Sequence, residues 1–251
     1  MAKRIERPDV VSRRGFLANA GKIAVAAGVG AVGLTGIASA QTAQPALPQY
    51  PWPYKKVDPE KVYWSAAALY YKYGCGQAAF QALIEEMGFP FNTVPASILK
   101  FGEGGVAGWG SHCGALLGSS AAISLVHGTT PVAGQMITQL TGWYTEFIGS
   151  GSPLCHVSVT EWSKANGVTV ESQERKDRCS RVAGETAKKA ALLLNAYADS
   201  NAVDPTFGPR ASVVGCLSCH GASAMGQVRS GVLQDCTLCH TDQPHTRKTS
   251  N

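Results

Sequence analysis

Two short segments near the carboxyl end constrain this chain more than any other part of its sequence. Residues 216–220 read C-L-S-C-H, and residues 236–240 read C-T-L-C-H. In a C-x-x-C-H segment the two thiols attach covalently to one porphyrin, and the histidine binds its iron. The sequence therefore predicts two c-type haems, attached through Cys216, Cys219, Cys236 and Cys239, with His220 and His240 as the proximal iron ligands.

A zinc ribbon is the alternative interpretation of these segments, because two C-x-x-C pairs 16 residues apart approach zinc-site spacing. Zinc does not explain why a histidine directly follows both pairs. A zinc ribbon also fits poorly with the export signal of the amino-terminal residues. The haems also restrict the fold. Few large apolar residues accompany them in the tail, so we expect it to lay its haems on the rest of the chain or on a second subunit. A homodimer is expected on this ground.

The amino-terminal residues have the pattern of an export signal. Basic residues precede the segment Ser12-Arg13-Arg14-Gly15-Phe16-Leu17, an apolar stretch runs from Ile23 to Ala40, and Ala38-Ser39-Ala40 is a cleavage site. The apolar stretch is short and weakly apolar for a spanning helix, although an uncleaved anchor is the alternative. We expect export by the twin-arginine route to the periplasm, with no stable membrane insertion after cleavage.

The basic charge of the chain belongs mostly to this signal. The full sequence has 22 basic and 17 acidic residues, and removal of residues 1–40 leaves 16 and 15. A nearly neutral mature protein gives no reason to expect nucleic acid as a partner.

The middle of the chain predicts a mostly α fold, a helical body followed by an irregular dihaem segment. Helices are expected over 60–73, 76–87, 113–126, 131–148 and 184–198, from their caps and Gly or Pro stops, with 167–171 as the one strand candidate. The predicted organisation is a signal peptide over 1–40, an extended lead over 41–57, a four-cysteine helical domain over 58–203 and the dihaem segment over 204–251.

A second set of cysteines lies in the body: Cys75, Cys113, Cys155 and Cys179. Cys75 and Cys113 are predicted at helix N-termini, where the helix dipole favours the thiolate. Cys155 and Cys179 are predicted in loops. Four converging thiolates could bind an iron–sulfur cluster, and two disulfides are the alternative in an exported protein. Twin-arginine export, which carries folded proteins, favours the cluster.

These cysteines carry a family resemblance. Gly74-Cys75, then Cys113 with Ala115 and Gly118 after it, then Cys155 and Cys179, resemble the redox-active C-G-C-A-x-x-G-C-C family, with Gly114 between the second cysteine and the alanine. Together with two C-x-x-C-H motifs, the chain resembles split-Soret cytochromes c. The resemblance implies a homodimer with two stacked bis-histidine haems per subunit, one axial ligand from the partner, and an iron–sulfur centre at the four cysteines.

Two distal haem ligands remain to be assigned among the other histidines. His245 follows His240 by five residues and could reach a neighbouring haem or a partner chain, and His127 closes a predicted helix. His112 and His156 adjoin cysteines of the second set, which would draw them away from the haems. The candidates are therefore His245 and His127. Met87, Met136 and Met225 are the competitors, and Met225 is favoured among them because it lies between the two motifs.

The predicted function is electron transfer with redox partner proteins, the haem irons cycling between ferric and ferrous states. The alternative is a small multihaem oxidoreductase with an open iron coordination site. Such an enzyme needs acid–base groups beside the haem, and near the motifs only Asp235, Asp242 and His245 are available.

Overall fold

The protein is helical throughout the part that its computed structural model describes, which is residues 46–128, 130–207 and 214. All of these residues belong to one compact unit that begins at Ala46. Within them no residue lies in a β-strand, and a single isolated bridge pairs His112 with Leu154. The predicted mostly α fold class is confirmed. The α-helices are α1 Pro59–Tyr73, α2 Cys75–Met87, α3 Gly114–His127, α4 Pro131–Phe147, α5 Cys155–Asn166 and α6 Gln173–Ser200, with short 3-10 helices at Phe91–Thr93 and Ala96–Gly102.

The first two helices follow from local signals that the sequence makes visible. The Asp58 side chain accepts hydrogen bonds from the backbone N–H groups of Glu60 (2.9 Å) and Lys61 (3.4 Å), and Pro59 occupies the first helical position. Gly74 ends α1 with a φ of 76°, a conformation that favours glycine. Because α2 begins at the next residue, Cys75 lies at a sharp corner between two helices.

Helix α6 is the longest helix of the described residues and forms one wall of the core. Its alanines at 183, 187, 190 and 191 are fully buried, so neighbouring helices can approach it closely. A Cβ added at Gly184 would lie 2.8 Å from the ring of Tyr63 on α1. The Ser180 hydroxyl donates to the Ala67 carbonyl at 2.8 Å, which joins the same two helices. These contacts fix α6 against α1.

Three predictions about the region after residue 150 are wrong. The strand expected over 167–171 is absent, since these residues form turns between α5 and α6. Cys155 does not lie in a loop but is the first residue of α5, and Cys179 lies within α6. Helix α6 begins eleven residues before the predicted 184 because the Ser172 hydroxyl caps it by accepting from the Arg175 N–H. Charged residues follow Ser172, so the sequence pattern did not indicate that the helix begins there.

Segments on both sides of the helices are held on the body. The backbone of Val57 exchanges two hydrogen bonds with the Asn195 side chain on α6. The Phe207 N–H donates to Gln139 Oε1 at 2.7 Å, and Gln139 Nε2 donates back to the Phe207 carbonyl at 2.8 Å. Phe207, which precedes the C-x-x-C-H segments in the sequence, is therefore held against α4. Within the described ranges, no helix combines the length and apolar character needed to cross a bilayer.

Candidate metal centre

Four helices bring the four body cysteines to one region of the molecule. Cys75 begins α2, Cys113 immediately precedes α3, Cys155 begins α5, and Cys179 lies in the second turn of α6. All four are free thiols, and none of them forms a disulfide. Each interacts electrostatically with the other three. The structure thus brings together four residues that are separated by as many as 104 positions in the chain.

A short backbone pairing holds Cys113 beside Cys155. The Cys113 N–H donates to the Pro153 carbonyl at 2.9 Å, and the Cys155 N–H donates to the Ser111 carbonyl at 2.6 Å. These bonds flank the bridge between His112 and Leu154. The start of α3 and the start of α5 are therefore fixed relative to each other by main-chain bonds, which do not depend on a bound metal.

Burial favours the protonated form of Cys75, Cys113 and Cys155 when nothing is bound to them. The pKa of Cys155 is raised to about 12, chiefly by burial and also by the charges of Cys113 and Cys179. The pKa values of Cys75 and Cys113 are likewise raised, again chiefly by burial. The predicted positions at helix N-termini are thus observed, but desolvation outweighs the helix dipole that was expected to favour the thiolate. A metal that binds here must displace protons.

Hydrogen-bond donors nevertheless point at the buried sulfurs. The Gly104 N–H lowers the pKa of Cys75 against the larger effect of burial. At Cys113 the N–H groups of Ala115 and Leu116, in the first turn of α3, act in the same sense, as does the Tyr144 hydroxyl. These donors would stabilise sulfur that carries negative charge. The site therefore suits thiolates held by a metal better than neutral thiols.

Glycine is required where α2, α3 and the preceding loop approach the sulfurs. A Cβ added at Gly114 would lie 2.5 Å from Cys75 Sγ and closer still to the Gly102 carbonyl oxygen. A Cβ added at Gly105 would lie 2.5 Å from Cys155 Cβ, and the φ of Gly105 is 70°. These glycines let the backbone come within contact distance of two cysteines.

Arginine and tyrosine side chains that sequence reasoning missed surround the four cysteines. On α6, Arg175 and Cys179 are four residues apart on one helix face and share a hydrogen bond, and Arg175 Nη1 donates to the Tyr70 hydroxyl at 3.3 Å. Arg178 lowers the pKa values of Cys155 and Tyr144, both of which are raised chiefly by burial. The i, i+4 spacing of Arg175 and Cys179 is a signal that the sequence offers once α6 is known to start at Gln173. Nothing in the sequence links Tyr144 to Cys113.

The described residues contain no preformed site for a single metal ion. Within the described ranges, no three His, Cys, Asp or Glu side chains are close enough to one another to hold one metal ion. A cluster of several irons bridged by sulfide is larger than one ion, so its cysteine ligands lie farther apart. Four free cysteines supply the donor set that such clusters use. These four cysteines therefore match the donor chemistry of an iron–sulfur cluster.

The predicted haem ligands are placed only in part. His127 ends α3, and its ring packs edge-on against Tyr197 with 4.9 Å between ring centroids. Burial lowers the pKa of His127, so the neutral form that could bind iron is favoured. His156 shares a 2.8 Å hydrogen bond between Nδ1 and the Gly110 carbonyl, beside Cys155. The residues predicted at the haems, Cys216, Cys219, His220, Cys236, Cys239, His240 and His245, lie outside the described residues.

Comparison with known proteins points to one family. A family model described as "Putative redox-active protein (C_GCAxxG_C_C)" matches residues 73–193, which contain all four body cysteines. The chain is 31% identical to a split-Soret cytochrome c of Desulfovibrio desulfuricans, over 78% of this chain and 80% of the relative. A solved structure of split-Soret cytochrome c from this organism, described as having a novel iron centre, superposes with a TM-score of 0.68 and 32% identity. The match covers 80% of this chain and 93% of the chain in the solved structure.

Proposed function

Because this chain belongs to the split-Soret cytochrome c family, we propose that it is an exported dihaem cytochrome that passes electrons between its haems and an iron–sulfur centre. The homology by itself indicates electron transfer, haem and iron, and interaction with redox partner proteins. The number of haems, the cluster, the periplasmic location and the homodimer are the further content of the proposal.

One observation carries the proposal for the cluster. Four unpaired cysteines, Cys113 buried and the other three half-buried, meet in a single region whose backbone and side-chain donors favour charged sulfur. Disulfides are the ordinary use of cysteine pairs in an exported protein, and a stabilising role alone would favour them. Keeping four free thiols together is better explained by a metal cluster. Cys75, Cys113, Cys155 and Cys179 would hold it, and it would supply one-electron chemistry.

The haem part of the proposal rests on the two C-x-x-C-H segments. Cys216, Cys219, Cys236 and Cys239 would attach the haems, and His220 and His240 would bind their irons. His245 and His127 remain the proposed distal ligands. Two hydrogen bonds between the Gln139 side chain and the Phe207 backbone hold Phe207 against α4. The helical body would therefore hold the start of the dihaem segment.

Cofactor analysis of the purified mature protein tests the proposal. We expect a polypeptide mass increased by two haems, together with non-haem iron matched by acid-labile sulfide. A mass equal to that of the bare polypeptide would contradict the proposed haems, and non-haem iron without sulfide would contradict the proposed cluster. Carbon monoxide added to the reduced protein separates the carrier from the enzyme alternative, since gas binding requires an open haem site.

A further inference from the structure

Arg178 is a buried cation in the wall of the candidate metal centre. Only 6% of its surface is exposed. Its Nη2 donates to the Ile148 carbonyl at 2.8 Å and to Ser158 Oγ at 2.7 Å, and its guanidinium lies 6.0 Å from the centre of the Trp162 ring. The two hydrogen bonds use both N–H groups of Nη2, and each of these partners is a neutral group. The carbonyl just beyond the end of α4 contributes only a partial negative charge.

Among the described residues, no carboxylate forms an ion pair with Arg178. Within residues 46–128 and 130–207, the ion pairs are Lys56–Asp199, Lys61–Glu86, Lys100–Glu103 and Lys188–Glu60, and each has an exposed member. Burial of a cation without a counter-ion is costly, so such a residue requires a nearby anion. The ionisable groups that interact with Arg178 include Cys155 and Tyr144. Thiolates at the centre are the anions that this position would serve.

Two hydroxyl groups extend the influence of Arg178 to a second cysteine. Ser158 Oγ accepts from Arg178, and it lies 3.2 Å from the Tyr144 hydroxyl oxygen. The Tyr144 hydroxyl in turn interacts with Cys113. Tyr144 is fully buried and Ser158 is 1% exposed, so water does not screen this chain of contacts. With Cys113 as thiolate, Tyr144 donates to the sulfur and Ser158 donates to Tyr144, because hydroxyl hydrogens rotate freely.

We propose that Arg178 is the internal counter-charge of the four-cysteine centre and sets its reduction potential, acting directly near Cys155 and through Ser158 and Tyr144 at Cys113. This inference rests on the proposed iron–sulfur centre. Reduction would add one electron and would make or break no bond in the protein; the electron would come from a ferrous c-type haem, which would become ferric. The positive charge of Arg178 would stabilise the more negative reduced state of the centre.

The test is a redox titration of the loaded protein, followed by the electron paramagnetic resonance signal of the non-haem centre. We expect Arg178→Met to lower the equilibrium constant for one-electron reduction at least tenfold, which corresponds to about 59 mV. Arg178→Lys keeps the charge and should recover most of the potential. Arg181→Met removes the same charge from an exposed position on the same helix and should leave the potential unchanged. An Arg178→Met protein that titrates like Arg181→Met overturns the proposal.

A second variant decides the question if Arg178→Met does not assemble its cluster. Ser158→Ala keeps the arginine but interrupts the hydroxyl chain, so we expect a smaller decrease in potential. An unchanged potential in Ser158→Ala would then overturn the proposal. Wild-type protein that contains no acid-labile sulfide would contradict the proposed function itself, whereas a normal cluster with a potential insensitive to these variants would contradict only the role of Arg178.

Discussion

The two ends of α6 use polar residues in opposite ways. Its second turn carries Arg178, buried without a carboxylate partner, next to Cys179. Its last turns carry Asn195 and Asp199. Asn195 forms hydrogen bonds with Val57 and Tyr54, and Asp199 forms an ion pair with Lys56. About 25 Å separates Arg178 from Asn195 along the helix. The first end would therefore suit the proposed negatively charged centre, whereas the other end holds the preceding segment of the chain on the body.

The largest effect is expected from Cys113→Ser, which removes the most buried of the four cysteines. Serine is a poor ligand for iron in place of thiolate, so we expect loss of most non-haem iron and sulfide. The haem absorption and the helical circular dichroism should remain, because serine fits the same space. Iron and sulfide analysis measures the loss. Retention of the full non-haem iron content would contradict the placement of a metal centre at this end of α6.

Gly114→Ala should disturb the same end through packing. The added methyl group would overlap Cys75 Sγ and the Gly102 carbonyl, so we expect a loss of roughly 1–3 kcal/mol in the free energy of unfolding together with lower cluster content. Gly134→Ala is the matched control in α4. Nothing lies within 4 Å of its added Cβ, and alanine should stabilise that helix by about 0.5–1 kcal/mol. Urea unfolding measures both. Equal effects at the two positions would contradict the close approach at Gly114.

Asn195→Ala tests the other end of α6. It removes two hydrogen bonds with the Val57 backbone and one from the Tyr54 hydroxyl, and it leaves part-buried polar groups without partners. We expect a loss of roughly 1–3 kcal/mol in the free energy of unfolding. The iron and sulfide content of the folded protein should not change. A decrease in cluster content would mean that the two ends are coupled, contrary to the comparison.

Lys56→Met should have the smallest effect. The Lys56–Asp199 pair is 2.7 Å long, but its side chains are 55% and 62% exposed. Solvent screens such a pair, so we expect a change of less than about 0.5 kcal/mol in the free energy of unfolding, decreasing further with added salt. Denaturant unfolding at low and high ionic strength measures it. A loss as large as that in Asn195→Ala would contradict the view that exposed charge pairs contribute little here.

Much of the helical body was predictable because its signals are local. Asp58-Pro59, Gly74 and Gly88 mark helix ends through the backbone geometry that they impose, and the structure has helix boundaries at these places. The same reasoning failed after residue 150. Residues 155–166 are mostly polar and no side chain caps their N-terminus, so the only local signal of α5 is Gly167 at its C-terminal end.

By itself the sequence determined the ligand types and the family. Cysteine spacing indicated a redox protein, and the comparisons confirmed the split-Soret cytochrome c family. Only the tertiary structure decided that Cys75, Cys113, Cys155 and Cys179 share one buried region, and that Arg178, Ser158 and Tyr144 connect there. The physical reason is that these contacts join different helices, and desolvation and electrostatic interaction depend on distances in space rather than on separation along the chain.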